Sequence, residues 1–236
     1  MNALESVTVQ GPNGYRAEIE IHQDMDPVNP NEWDGPQVFN AERGSDLAKE
    51  AKSVFGCYNN LDEDAEDYDE DAGWEEALDR LKDGWLVEHE DVVYAGFEEY
   101  RHGGSAYALC ARKGSFPDRR WDAIPLSGWV AWSKKDLTEN FGEDEDRWIK
   151  GFKYALTDWS DFVNGNSWEY VCKIIHELPD GYSKELEEKS CWGFMGDMDG
   201  CKEEALRAAE SQIRHLSGDT EFKVKAWEAY EGGEEV

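Results

Sequence analysis

Residues 62–71 read DEDAEDYDED: eight of the ten are carboxylates and none is basic. Such a run cannot enter a core, because every unpaired carboxylate would have to leave water without compensation. Nor does it favour a helix by itself, since like charges at i and i+4 repel one another. The fold must therefore be built from the residues on either side, with this run at the surface. Three readings compete for it: a solvated loop, a cation site, or a surface that stands in for a polyanion.

The run is the peak of a wider excess. The net charge over 236 residues is −30, and it is uneven: residues 1–100 carry 27 acids and 6 bases, residues 101–236 carry 27 and 18. Without the eight acids of the run the charge would still be −22. A field of this sign repels nucleic acid and membranes and attracts basic surfaces over about a Debye length. Direct binding of nucleic acid or of a membrane is not expected. Eleven tryptophans and 39% hydrophobic residues supply material for a core, which excludes a disordered acidic chain. No apolar stretch approaches the roughly 18 residues of a membrane helix and no N-terminal h-region is present, so a cytoplasmic protein is expected. Cys57, Cys110, Cys172, Cys191 and Cys201 are widely spaced and odd in number. They read as reduced, mostly buried thiols rather than a disulfide framework or a zinc site.

Periodicity outlines the elements. SVTVQ and YRAEIEI flank the turn GPNG (11–14) as an N-terminal hairpin, and the Pro-rich stretch 24–36 cannot be a helix interior. Helices are expected over Ser45–Val54, from Trp74 to a stop at Gly84, and over 144–163. In the last of these Trp148, Phe152, Ala155, Leu156, Trp159 and Val163 make one apolar stripe. Strands are expected at 85–95, 105–112, 128–133, 168–178, 190–196 and 221–227. Ser133 with Asp136 forms a capping pattern, and Asp199 is expected to cap a helix that buries Cys201, Ala205, Ala209, Ile213 and Leu216. Strands and helices do not alternate regularly. The reading is α+β: a mainly antiparallel sheet with several helices packed on it and an acidic surface. It is taken as a single domain over 1–236, with an acidic insertion at 59–73 and a frayed tail at 231–236.

No motif names a reaction, and no metal or cofactor is expected. Neither acidic segment fits an EF-hand: from Asp24, Val28 fails the fifth position, and from Asp62, Asp67 replaces the turn glycine. The five histidines show no H-E-x-x-H spacing, and His176, on the apolar face of a strand, reads as a satisfied core histidine. His102 precedes Gly103 and Gly104 as an oxyanion-hole loop would, but no G-x-S-x-G supplies a nucleophile; a glycine-permitted hairpin turn explains it.

Four landmarks occur in order: DPVNPNEWD (26–34), HGG (102–104), RWDAIPLSGWVAWSKKDL (120–137) and SCWGFMGD (190–197). Together, over roughly residues 17–210, they resemble a family of phage-encoded accessory proteins with DPxNPxEWD, HGG and SCWGF landmarks. That family has no agreed activity, so the resemblance implies a phage origin and not a mechanism. This chain departs from it where members carry a basic HRRY and it reads FNAERGSDL (39–47), and again in the acidic run. An activity needing the basic segment would not be shared.

Charge spacing favours the polyanion reading. Duplex DNA carries one charge per about 1.7 Å of axis. Eight charges over ten residues would give roughly one per 1.9 Å on a helix and one per 4 Å on a strand. The sequence therefore leads to a non-enzymatic phage inhibitor, acting in the host-cell cytoplasm. It would occupy the basic nucleic-acid-binding surface of a host protein such as a CRISPR effector or restriction enzyme. The expected contact face is Asp62, Glu63, Asp64, Glu66, Asp67, Asp69, Glu70 and Asp71, with Tyr68 and Trp74 as exposed aromatic anchors. The alternative is a phage structural or interaction protein, acidic only for solubility. A third class, an enzyme, would draw on Asp34, His102 and Asp122.

Overall fold

The structure, a computed structural model, describes residues 3–41, 44–56, 73–101, 104–111 and 123–230. In chain order it holds β1 (Glu5–Gln10), β2 (Tyr15–Gln23), β3 (Gln37–Asn40), α1 (Gly44–Phe55) and α2 (Gly73–Lys82). There follow β4 (Val87–His89), β5 (Val92–Arg101), β6 (Ser105–Leu109), β7 (Ala123–Ser133), α3 (Lys134–Phe141) and α4 (Glu145–Asn164). The chain closes with β8 (Ser167–Glu177), β9 (Ser183–Met195) and α5 (Met198–Ser217). The α+β class holds and every described strand pair is antiparallel, but the strands form two sheets rather than one. They belong to two compact units, residues 1–28 with 165–236 and residues 29–164. Nothing in the sequence, which reads as one domain, marks this division.

The first unit is a sheet in the order β1-β2-β8-β9. The β1–β2 hairpin turns as expected, with Asn13 at φ 58 and Gly14 at φ 80. A Cβ on Gly14 would sit 2.6 Å from the Glu177 carbonyl oxygen, so this turn needs glycine. Alternate residues Val7, Val9, Ala17, Ile19, Ile21, Tyr170, Cys172 and Ile174 meet Cys201, Ala205, Leu206, Ala209 and Ile213 of α5. Each fully buried Ile of this layer contributes about 1.5–3 kcal/mol.

Three expectations for this unit are corrected. The cap of α5 is Asp197, whose Oδ1 accepts from the Asp199 N–H at 3.1 Å, so Asp199 supplies the capped donor instead. His176 is half-exposed at the sheet end rather than in the core; it stacks on Tyr15 at 4.2 Å, and its Nε2 lies 3.2 Å from the Asn13 carbonyl. Residues 221–227 form no strand, although Phe222 and Val224 pack on the core. Side chains of α5 take the backbone groups a strand would pair: the Val224 N–H donates to Glu210 at 2.9 Å, and Arg214 donates to the Phe222 carbonyl at 2.7 Å.

The second unit is a sheet in the order β3-β7-β5-β4, with β6 also on β5. Its central strand faces both ways. Val93, Ala95 and Phe97 join Trp148, Phe152 and Leu156 of α4, while Tyr94 joins Ala51 and Phe55 of α1 and Ala77 and Leu81 of α2. The α4 stripe is as expected except that Val163 is exposed, and Ser133 caps α3 as the sequence implies. Residues 85–95 are not one strand: β4 and β5 fold back at Glu90–Asp91, with Glu90 at φ 53.

Two glycines let backbones approach. A Cβ on Gly96 would lie 2.7 Å from the Leu81 carbonyl oxygen, and one on Gly128 would overlap that of Phe39 in β3. Gly128→Ala is expected to cost about 3 kcal/mol or more, because strand separation is added to overpacking. Urea unfolding measures this. A change within about 0.5 kcal/mol, the size of an ordinary surface substitution, would contradict the close approach.

Candidate functional site

Asp62, Glu63, Asp64, Glu66, Asp67, Tyr68, Asp69, Glu70 and Asp71 lie outside the described residues, as do His102 and Asp122. Asp34 is described and exposed. What the structure does give is the ground on either side of the acidic run. Before it, α1 ends on Phe55, which is fully buried; after it, α2 opens and buries Ala77 and Leu81 in the same apolar cluster. Trp74, in the first turn of α2, is half-buried against that cluster, with the Lys52 ammonium 4.7 Å from its ring centroid. It is thus a core-edge residue under a cation, not an exposed anchor. Glu75, Asp79 and, just past the helix, Asp83 recur every four residues and are all exposed. None is in an ion pair among the described residues. The acidic character of the run continues along a placed helix face.

The feature most like a catalytic group is Glu99, 1% exposed in β5. Its Oε1 accepts from Arg101 Nε at 2.6 Å and from the hydroxyls of Ser105 and Tyr107, each at 3.3 Å. Its Oε2 accepts from Arg101 Nη2 at 2.8 Å and has Ser127 Oγ at 3.0 Å, which shares its one proton with Asn40 Oδ1 at 2.8 Å. Burial opposes ionisation, but the bonds from Arg101, Ser127 and Ser105 outweigh it and hold the carboxyl below its ordinary value. A carboxylate has about four acceptor positions, and here five donors converge on them. Glu99 therefore has no free position for a substrate proton; its chemistry is that of an anchor where β5 and β7 slip register between Phe97 and Glu99.

No protein-family model, curated protein or solved structure matches this chain. The landmark residues are thus read from their contacts here, and several have architectural work. Asn29 accepts from the Asn31 N–H at 2.9 Å, and the Asn31 amide clamps Val38 through both its N–H and its carbonyl, at 2.7 and 2.8 Å. Asp24, buried just before the first landmark, accepts from Asp26 N–H at 3.1 Å and Gly193 N–H at 3.2 Å, tying the first unit's Gln23 end to β9. Trp168 donates to the Gly196 carbonyl at 2.7 Å. Sequence reasoning missed Glu99, whose only signal was a Glu pair set in the apolar strand VVYAGFEEY, and weighed Asp24 only as the start of a calcium loop.

Among the described residues no group of three or more His, Cys, Asp or Glu is placed to hold a metal ion, and no helix is long and apolar enough to cross a membrane. Cys110, Cys172 and Cys201 are buried, and Cys191 is exposed. Burial pushes the Cys172 and Cys201 thiols up to about 12. In a Cys57→Ser variant, native protein is expected to react with a thiol reagent at Cys191 alone, the other three reacting only on denaturation. Peptide mapping of the labelled sites checks this, and rapid labelling of Cys172 or Cys201 would contradict the core packing.

Proposed function

We propose that this chain is a phage-encoded, non-enzymatic inhibitor that occupies the nucleic-acid-binding site of a host defence protein, a CRISPR effector or a restriction enzyme, with carboxylates in place of phosphates. The observation that carries this reading is the charge: −30 on a chain with folded cores, peaking in eight carboxylates over ten residues. Mimicry requires charges held in place. Support comes from the flanks, because the run is bounded by α1 and α2, which share one buried cluster, and from the exposed stripe Glu75, Asp79 and Asp83, which makes no ion pair among the described residues. Such a surface would speed encounter with Lys and Arg and make binding strongly salt-dependent. The phage origin and the action in host cytoplasm rest on the landmark resemblance.

A second reading, a phage interaction protein acidic only for solubility, is favoured by Trp192 and Tyr182, which are 61% and 73% exposed. Affinity capture from host lysate separates the two, with wild type and a variant whose run is neutralised to Asn and Gln as baits. Mimicry predicts nucleic-acid-binding partners that excess duplex DNA or RNA releases, that salt dissolves, and that the neutralised bait fails to retain. A partner kept at high salt and indifferent to nucleic acid would overturn it in favour of the second reading.

A further inference from the structure

The outer strand of the first unit, β9, leaves one edge open. Among the described residues it pairs only with β8, so its other side carries unpaired N–H and C=O groups. From Ser183 to Trp192 every residue but Glu187 is exposed, so this stretch buries little on either face and is held by its ladder. Two register shifts interrupt that ladder. One leaves Leu186 extra between Glu185 and Glu187, opposite Ile175 and Ile174; the other leaves one extra residue at Trp192–Gly193, with Gly193 at φ 83. Bulges re-aim side chains, and each of these two coincides with an exposed apolar one, Leu186 and Trp192. The second is pinned from β2's exit, since Gly193 N–H donates to the buried Asp24 carboxylate. Between the bulges, Glu187–Cys191 runs in unbroken register with Ile174–Tyr170.

Bulges and the lysines Lys184 and Lys189 are also devices that stop edge-to-edge aggregation. They account for the shortness of the regular edge. They do not account for a tryptophan held in water at its end, since a covered Trp buries roughly 150–250 Å².

We infer that the free edge of β9 from Glu187 to Cys191 is a strand-addition site for a short extended segment of a partner protein bearing Lys or Arg, with Leu186 and Trp192 gripping its ends. Backbone pairing supplies the affinity and the flanking side chains the selectivity. A second copy of the chain fits poorly, because each carries −30 and β9 would bring Glu185, Glu187 and Glu188 against their own kind. A basic segment meets these acids instead. The existing pairs Lys173–Glu188 and Glu187–Lys189, at 3.6 and 3.5 Å, are solvent-exposed and weak enough to exchange. This surface shares with the proposed function only the sign of the charge, and it does not use the acidic run.

The test is amide hydrogen exchange by NMR on the full chain with residues 62–71 neutralised, titrated with a short peptide alternating Arg and Val. Comparison peptides are the same sequence with alternate amides N-methylated and one alternating Glu and Val. The expected result is exchange slowed at least about tenfold within Glu187–Cys191 by the first peptide. The methylated and acidic peptides should bind at least about tenfold more weakly, as should the first peptide to Trp192→Ala. Equal binding of the methylated peptide would mean charge attraction without strand pairing, and unchanged exchange on β9 would mean no site. Either result overturns the inference and leaves the reading of the acidic run untouched.

Discussion

Glu99→Gln lowers the stability of the second unit by about 3 kcal/mol, with a fall in melting temperature of roughly 10 °C. The substitution removes one partner from a buried, hydrogen-bonded pair, a change that costs about 3–5 kcal/mol when both partners are enclosed. Arg101 is 53% exposed and water screens part of the attraction, so the lower end applies. The remaining cost is structural. The amide offers one oxygen where two accepted, and its NH2 faces the Arg101 guanidinium, which needs an acceptor.

The pH dependence carries a sign. The Glu99 carboxyl titrates below its ordinary value of 4.5 in the folded chain. Its contribution is therefore complete above that value and is lost as the pH falls through the lower, folded one. The stability gap between wild type and Glu99→Gln should narrow on acidification from that point, in urea melts taken across the series. Glu75→Gln, on the exposed face of α2, is the control and should stay within about 0.5 kcal/mol of wild type. A Glu99→Gln protein as stable as the control would release Glu99 from its anchoring role and return it to the list of chemically active groups.

That anchor was hidden from the sequence for a physical reason. A glutamate in a strand is ordinarily a solvated one, and only the convergence of Arg101, Ser105, Tyr107 and Ser127 makes burial affordable. Ser127 reaches it from β7 and Tyr107 from β6, contacts set by tertiary pairing. Elements whose cause is local were readable. The GPNG turn between alternating strands, the α4 stripe from Trp148 to Leu156 and the Ser133 cap all follow from neighbours in sequence. Misreadings came where the local signal was missing or a more distant partner decides. The β4–β5 turn at Glu90–Asp91 lacks the Gly or Asn that signals a hairpin. Phe222 and Val224 alternate like a strand, yet Glu210 and Arg214 of α5 take the backbone groups. The division into two units turns on β2 pairing with β8, across the whole second unit. The nine residues of the contact face within the acidic run lie outside the described residues, and of the proposed site only Trp74 could be placed.

Neutralising the eight carboxylates of residues 62–71 is expected to slow association with the captured partner by about 10- to 100-fold at low salt, while leaving dissociation less changed. The steered part of the association rate should fall with ionic strength in wild type, and the two proteins should converge as salt approaches molar concentration, where the screening length is about 3 Å. Stability should not drop, because removing like charges crowded along the chain relieves repulsion rather than creating it. The stripe Glu75, Asp79 and Asp83 should add a smaller decrement of the same kind.

The central claim is that one site on the partner takes either nucleic acid or this protein. Its most direct measurement is displacement of a fluorescent oligonucleotide from the captured partner, read by anisotropy as wild-type or run-neutralised protein is added. The account predicts full release at one equivalent of wild type and little release by the neutralised variant at the same concentration. A stable complex of partner, oligonucleotide and this protein together, with anisotropy rising instead of falling, would contradict it.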